Sequence, residues 1–427
     1  MRVCQRLCII MGILGLVVFF WSASADVGPT YAIRNAKIVP VSDPVIDKGI
    51  VIIRDGLIES LGPMGKVAVP DDAEIIEAEG LVAYPGLVSA HTNLFLDEPK
   101  TTEPAPSQPD FMMGVAQPQP VEFAELLAFR LLKPKKAALD SYLKIGFTTV
   151  LIAPSKGIFQ GQSVIVNLNG EKPESMILKN PAALHINLTT GRGTYPSSLM
   201  GTIAYIRQSF MDADYYINAR ALYAKNPKSM KRPEFNPFLE ALGPYLKDNK
   251  PVVFQCNNME DIKRALKIID EFKLNALLSH ANEAWRDAAV LKKTPIPLLV
   301  TLDFTPPAGS KYVSQGEELK KKAEAEIYPA NAANLAKEGI KFALTTLGLP
   351  DASTALKNIQ AAIKAGLPKD ETLRALTIQP AIYLGVASQL GSLEPGKIAN
   401  VILTKGEIFD EKTVVDKVFV DGLLVKF

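Results

Sequence analysis

From residue 31 the chain alternates apolar and polar positions in short runs. The runs at 31–39, 49–54, 57–61 and 73–78 each predict a strand. Asp55-Gly56, between two of them, predicts a tight hairpin turn. The same texture returns near the end, at 400–404 and 414–420, and Asp421-Gly422 repeats the turn before 423–425. Neither set is large enough to be stable alone. The simplest reading joins both chain ends in one small β domain.

Between them, short apolar runs alternate with helical periods. Runs at 87–90, 147–152, 163–168, 183–186, 252–255, 275–278, 297–300 and 342–345 predict eight strands. Many are apolar on both faces, as parallel strands covered on both sides are. The spacing predicts helices over 259–272 and 353–365, the second ended by Gly366. It also predicts one long helix over 200–224, whose cluster of Asp212, Asp214, Tyr215 and Tyr216 is a candidate lining for a binding mouth. Eight strands with intervening helices predict an α/β fold of the (β/α)₈ barrel type, with an open doubly wound sheet as the alternative. Residues 98–121 hold six prolines and no period. They follow the first of the eight strands and are expected over the mouth where barrels bind ligands.

Before residue 31 the pattern is different. Arg2 and Arg6 precede a nearly unbroken apolar run at 9–21, then Ala23-Ser24-Ala25. This predicts a secretory signal peptide over 1–25, cut after Ala25, and a secreted or periplasmic protein. The run is short for a membrane span, so none is expected once it is removed. Cys4 and Cys8 leave with it, and Cys256 alone cannot form an internal disulfide. The 47 Lys+Arg against 45 Asp+Glu give a net charge of +2, which argues against a nucleic-acid binder. Lys133-Pro-Lys-Lys136 and the lysines at 320–322 read as solvated faces, and Gly191-Arg-Gly193 is too short to imply phosphate binding.

The candidate chemistry lies in three histidines, His91, His185 and His280, which are all the chain has. Each falls at or near the C-terminal end of a predicted strand, where barrel enzymes hold ligands. Converging imidazoles suit Zn²⁺ or a similar divalent ion, so one such ion, or none, is the cofactor expectation. Cys256, at a strand end but with no adjacent His, is a weaker candidate nucleophile.

Several motifs resemble one family. Residues 84–93, Tyr-Pro-Gly-Leu-Val-Ser-Ala-His-Thr-Asn, resemble the strand-one signature of the amidohydrolase superfamily, Pro-Gly-hydrophobic-hydrophobic-Asp-x-His-x-His. Residues 375–385, with Thr377, Pro380, Ala381 and Gly385, resemble its Thr-x-x-Pro-Ala-x-x-Leu-Gly helix. Residues 390–400 resemble its Gly-Ser-Ile-x-x-Gly-x-x-Ala-Asp stretch, and 54–58 fit its opening β-sandwich. Gly161-Gln-Ser163, 195–201 and 282–285 are similar to the imidazolonepropionase-related branch. The resemblance covers nearly all of the chain beyond residue 25. It implies a β-sandwich from 26–84 and 396–427 around a barrel over 85–395.

The resemblance also implies a metal site of two His from strand one, Lys or Glu from strand four, His from strands five and six, and Asp from strand eight. Here His91 holds the first position, Asn93 stands in place of the second His, and His185 in place of Lys or Glu. Gln255 replaces the strand-five His, His280 is the expected strand-six ligand, and Leu347 stands where Asp is expected. Asn and Gln carbonyl oxygens are weak Zn²⁺ ligands, and Leu347 can neither bind an ion nor carry a proton. What remains is a mononuclear set of His91, His185 and His280, with Asn93, Gln255 and Leu347 lining it. The implied activity is metal-dependent hydrolysis of C–N bonds in cyclic amides, dipeptides or related small molecules. The alternative is an inactive protein of this fold, a pseudoenzyme that binds a small molecule or pairs with an intact amidohydrolase. A homo-oligomer is also compatible.

Overall fold

The computed structural model describes residues 28–97, 121–170, 172–191, 195–228, 230–305, 316 and 327–426. The leader-like segment, residues 98–120 of the proline-rich stretch and the lysines at 320–322 lie outside them. Among the described residues no helix is long and apolar enough to cross a membrane.

Both chain ends meet in one eight-stranded sheet. Its strands are β1 (Tyr31–Ile38), β2 (Ile46–Arg54), β3 (Leu57–Pro63), β4 (Glu74–Glu77), β5 (Val82–Pro85), and, from the far end, β16 (Val401–Lys405), β17 (Val414–Val420) and β18 (Leu423–Leu424). The order is β18-β17-β16-β5-β1-β2-β3, with β4 parallel to β1. The join between the ends is the antiparallel pair of β5 and β16. Period-two alternation decides what each face covers. Val401 and Leu403 pack with Ile33, Ile53 and Phe419 on one side, while Ile402 enters the main core with Val418, Val420 and Tyr84. The two Asp-Gly turns close their hairpins with φ of +51° and +80° at Asp55-Gly56 and +50° and +74° at Asp421-Gly422. Positive φ at both central residues matches the twist of the flanking strands. The turns also pack on each other, since a Cβ on Gly422 would lie 2.5 Å from the Gly56 Cα.

A buried polar network ties this sheet to the rest of the molecule. Asn400 donates through Nδ2 to Thr149 Oγ1 and Asn167 Oδ1, both at 3.1 Å, and accepts from the Asp421 amide at 2.9 Å. Asp421 in turn accepts from Asn167 and Asn169. All of these polar atoms are paired except Asn169 Oδ1, so the cluster is satisfied at its centre, where pairing makes a buried polar group stabilising rather than costly.

All eight strand segments of the middle region form. They are β6 (Leu87–Thr92), β7 (Phe147–Ile152), β9 (Val164–Asn167), β11 (Leu184–Asn187), β12 (Val252–Gln255), β13 (Ala276–His280), β14 (Leu298–Thr301) and β15 (Ala343–Thr345). Two short strands are additional, β8 (Phe159–Gln162) and β10 (Ile177–Lys179). They lie in two ladders, β10-β9-β7-β6 and β15-β14-β13-β12-β11-β8. Strands β11 to β15 are parallel throughout. The expectation of uniformly parallel strands fails at β9, which runs antiparallel to β7, and at β8, antiparallel to β11. The reason is chain length. Only a few residues separate β7, β8 and β9, too few for the crossover that a parallel neighbour needs.

The two ladders face a common interior. Ala90, Ala183, Val253, Leu277, Leu299 and Ala343 form one buried cluster, drawn from β6, the residue just before β11, and β12 to β15. The opposite residues, such as Phe254, Leu278, Val300 and Leu344, pack outward beneath helices. One of those helices is Met259–Phe272, capped by the Asn258 side chain, and another is Ala352–Lys364, followed by Gly366 at φ +108°. Strands β6 and β15 belong to different ladders and are linked by side chains. Ser89 Oγ and Thr346 Oγ1 share a 2.8 Å hydrogen bond, and the Thr346 amide donates to Ser89 Oγ at 3.2 Å.

Candidate active site

One step up each strand from the apolar cluster, the inward positions become polar. Side chains two residues apart share a face. Moving two residues on from Ala183, Val253, Leu277, Leu299 and Ala343 gives His185, Gln255, Ser279, Thr301 and Thr345. These sit at or near the C-terminal ends of their strands.

His91 and His185 meet there. Their ring centroids are 4.6 Å apart, with the planes inclined by 56°, and both residues are buried. His91 Nδ1 and Ser279 Oγ share a 2.6 Å hydrogen bond, which fixes the plane of the His91 ring. His185 has no hydrogen-bond partner at either ring nitrogen, and His280 Nδ1 and Thr345 Oγ1 are also buried without one. Unpaired buried polar atoms are costly, so this concentration marks a site selected for something other than stability.

Burial also decides the charge state. It pushes the His91 pKa down to about 3, and the nearby His280 adds to the effect. His185 is held well below its ordinary value by burial and then by His91. His280 is lowered by burial, while the carboxylate of Asp303 pulls the other way. The imidazoles are therefore neutral near pH 7, which is the form that ligates metals.

The residues read from the sequence are placed unevenly. His91 and His185 are brought together. Gln255 ends β12, half-buried, with its Nε2 3.4 Å from Asn257 Oδ1. Leu347 is buried just beyond β15. Asn93 is solvent-exposed just past β6. His280 is the last residue of β13, paired with Val300 but with a left-handed φ of +71°, and Ser279 takes the inward position in register with Gln255. Among the described residues no group of three or more His, Cys, Asp or Glu is arranged to hold a metal ion.

Three other readings are resolved. Cys256 is fully buried, and burial pushes its thiol well up, which favours the unreactive thiol form over the nucleophilic thiolate. The Asp212–Tyr216 cluster does not line the mouth. It lies on the helix Leu199–Lys225, where Asp214 pairs with Lys247 and buried Tyr216 accepts from the Asn236 amide at 3.2 Å. Lys133 and Lys136 pair with Asp97 and Asp140 on the surface.

Sequence reasoning missed Ser279, Thr345 and Asp303. The first two were open to it through strand parity with Leu277 and Ala343. Asp303 belongs to a turn, where its Oδ1 accepts from the Thr305 amide at 3.0 Å and its Oδ2 lies 2.6 Å from where a Cβ on Gly348 would stand.

The donors fit a divalent ion in part. A metal-binding His commonly gives its second N–H to a neighbour that orients the ring, as His91 Nδ1 can to Ser279 Oγ, leaving Nε2 free. His185 adds a neutral imidazole with no competing partner.

The comparisons agree with this fold. The sequence pattern of the amidohydrolase family matches residues 320–425. A 62-residue stretch is 44% identical to a 5-methylthioadenosine/S-adenosylhomocysteine deaminase of Moorella thermoacetica, and spans 14% of this chain and 14% of that enzyme. The crystal structure of an amidohydrolase from Thermotoga maritima superposes with a TM-score of 0.76 at 26% identity, covering 93% of this chain and 99% of that one. A Xaa-Pro dipeptidase with methionine bound in its active site superposes at 0.56 and 16% identity, over 93% and 100%.

Proposed function

We propose that the chain is an amidohydrolase-superfamily protein that hydrolyses C–N bonds of small molecules such as cyclic amides or dipeptides, a reading supported by the family match at 320–425 and the similar fold. The two ladders and their shared core support a distorted (β/α)₈ barrel, and the terminal sheet supports the β-sandwich beside it. The observation that carries the functional reading is the His91–His185 pair: two buried, neutral imidazoles facing each other at the strand ends, one with both nitrogens unpartnered.

His91 and His185 would hold one divalent ion, Zn²⁺ first among candidates, as a two-imidazole set. Such an ion supplies Lewis-acid polarisation of the scissile carbonyl. Ser279 orients His91 through their shared hydrogen bond. Gln255 and Thr345 offer amide and hydroxyl groups to a substrate's polar edge. Leu347 provides an apolar wall and no proton acceptor, so turnover is expected to be slow.

The test is to assay the metal-loaded protein on cyclic amides, dipeptides and N-acyl amino acids. The expected result is slow turnover of one class, lost on chelation, restored by Zn²⁺ and absent in His91→Ala. No turnover of any class by metal-loaded protein would refute the reading.

A further inference from the structure

The helix Leu199–Lys225 is 27 residues long, about 40 Å at 1.5 Å per residue. One face is buried through Thr202, Ile206, Ser209, Phe210, Ala213, Tyr216 and Ala219. The opposite face carries large apolar side chains in solvent. Met200 is 85% exposed, Tyr215 77%, Leu222 59% and Met211 49%. Residues three or four apart lie on one helix face. The outward stripe is Met200, Ala204, Arg207, Met211, Tyr215, Asn218 and Leu222, all exposed except Arg207, which is half-buried.

Its spacing is a palindrome. The steps are four, three, four, four, three and four residues, symmetric about Met211. We infer that this face is the two-fold interface of a homodimer, two copies of the helix packing antiparallel with Met211 on the axis. A two-fold contact requires a self-complementary patch, and this stripe is one. Met211 meets Met211 of the second copy. Met200 meets Leu222, a pair of large apolar side chains at each end. Ala204 meets Asn218, a small residue against a medium one. Arg207 meets Tyr215, a guanidinium against an aromatic face. The Arg207 Nε donates to Glu271 at 2.6 Å, which holds the guanidinium in place. The mean step of about 3.7 residues is close to the helical period, so the stripe runs nearly along the axis and the copies meet along its whole length. The seam from Met200 to Leu222 is about 33 Å long, so the two helices meet over most of their length.

Analytical ultracentrifugation of the full chain should show a monomer–dimer equilibrium with a dissociation constant of micromolar order. Met211→Arg, which sets two like charges on the axis, should raise that constant at least tenfold. Met211→Cys should form a disulfide-linked dimer under mild oxidation. Ala204→Cys alone should not, but should cross-link when mixed with Asn218→Cys. A monomer at about 100 µM, well above that constant, would overturn the inference. So would a dimer that survives Met211→Arg, or one that cross-links at Ala204 alone, because each places the contact elsewhere.

Discussion

The metal-free chain is expected to lose stability steeply as the pH falls from 6.5 to 4.5. His91 is held neutral in the folded state, with a pKa near 3 caused first by burial. In the unfolded chain it titrates near 6.5. Below that value the unfolded state binds the proton that the folded state refuses, so unfolding becomes more favourable as pH drops. The associated stability is fully present above pH 6.5 and is lost progressively toward pH 3. At pH 4.5 His91 alone accounts for about 2.7 kcal/mol, from two pH units at ~1.36 kcal/mol each. His185 is depressed in the same direction and adds to it, as does His280 in smaller measure because Asp303 opposes the shift. Asp261 and Asp421, raised by burial, act in the opposite sense where carboxylates titrate. Urea unfolding with chelator present, at pH 7 and pH 4.5, measures the difference. A change under about 1 kcal/mol would mean that these imidazoles are not buried neutral.

The second large effect is a gain in stability. His185→Leu should stabilise the metal-free chain by about 2 kcal/mol, because it removes two buried nitrogens that have no partner and fills a similar volume. Most core substitutions lower stability, so the sign is diagnostic. The same variant should show a shallower acid transition, having lost one of the depressed imidazoles. It should also lose its affinity for divalent ions. Such an exchange of stability for function is expected where a site holds groups that the fold itself does not satisfy. If His185→Leu destabilises by 2 kcal/mol or more, His185 is a satisfied core residue and its role in a site falls.

What the sequence made legible was local. Asp55-Gly56 and Asp421-Gly422 encode their turns in two residues, and both form with left-handed φ at both positions. The strand segments at 252–255 and 342–345 were legible because a short, doubly apolar run leaves few alternatives. The direction of β9 was not legible, since a strand's orientation depends on the connection and its partners rather than on its own residues. The site divides in the same way. His91 and His185 stood out by chemistry and strand position. At the end of β13 the chemistry misled: His280 drew attention, while period-two parity with Leu277 turns Ser279 inward toward His91. The left-handed backbone at His280 is a tertiary outcome that no local signal marks. Asn93 and Leu347 were noticed only as departures from a family pattern. Such a pattern gives identity at a position, not exposure, and Asn93 turned out to face solvent.

The central claim is that His91 and His185 form the core of a divalent-ion site. Equilibrium dialysis against Zn²⁺ at pH 7, followed by metal analysis, tests it most directly on the wild-type chain, His91→Ala and His185→Ala. The account predicts one tightly held ion per wild-type chain, with affinity lowered at least tenfold in each variant. A wild-type chain that retains no Zn²⁺, or two variants that retain it as well as wild type, would contradict it.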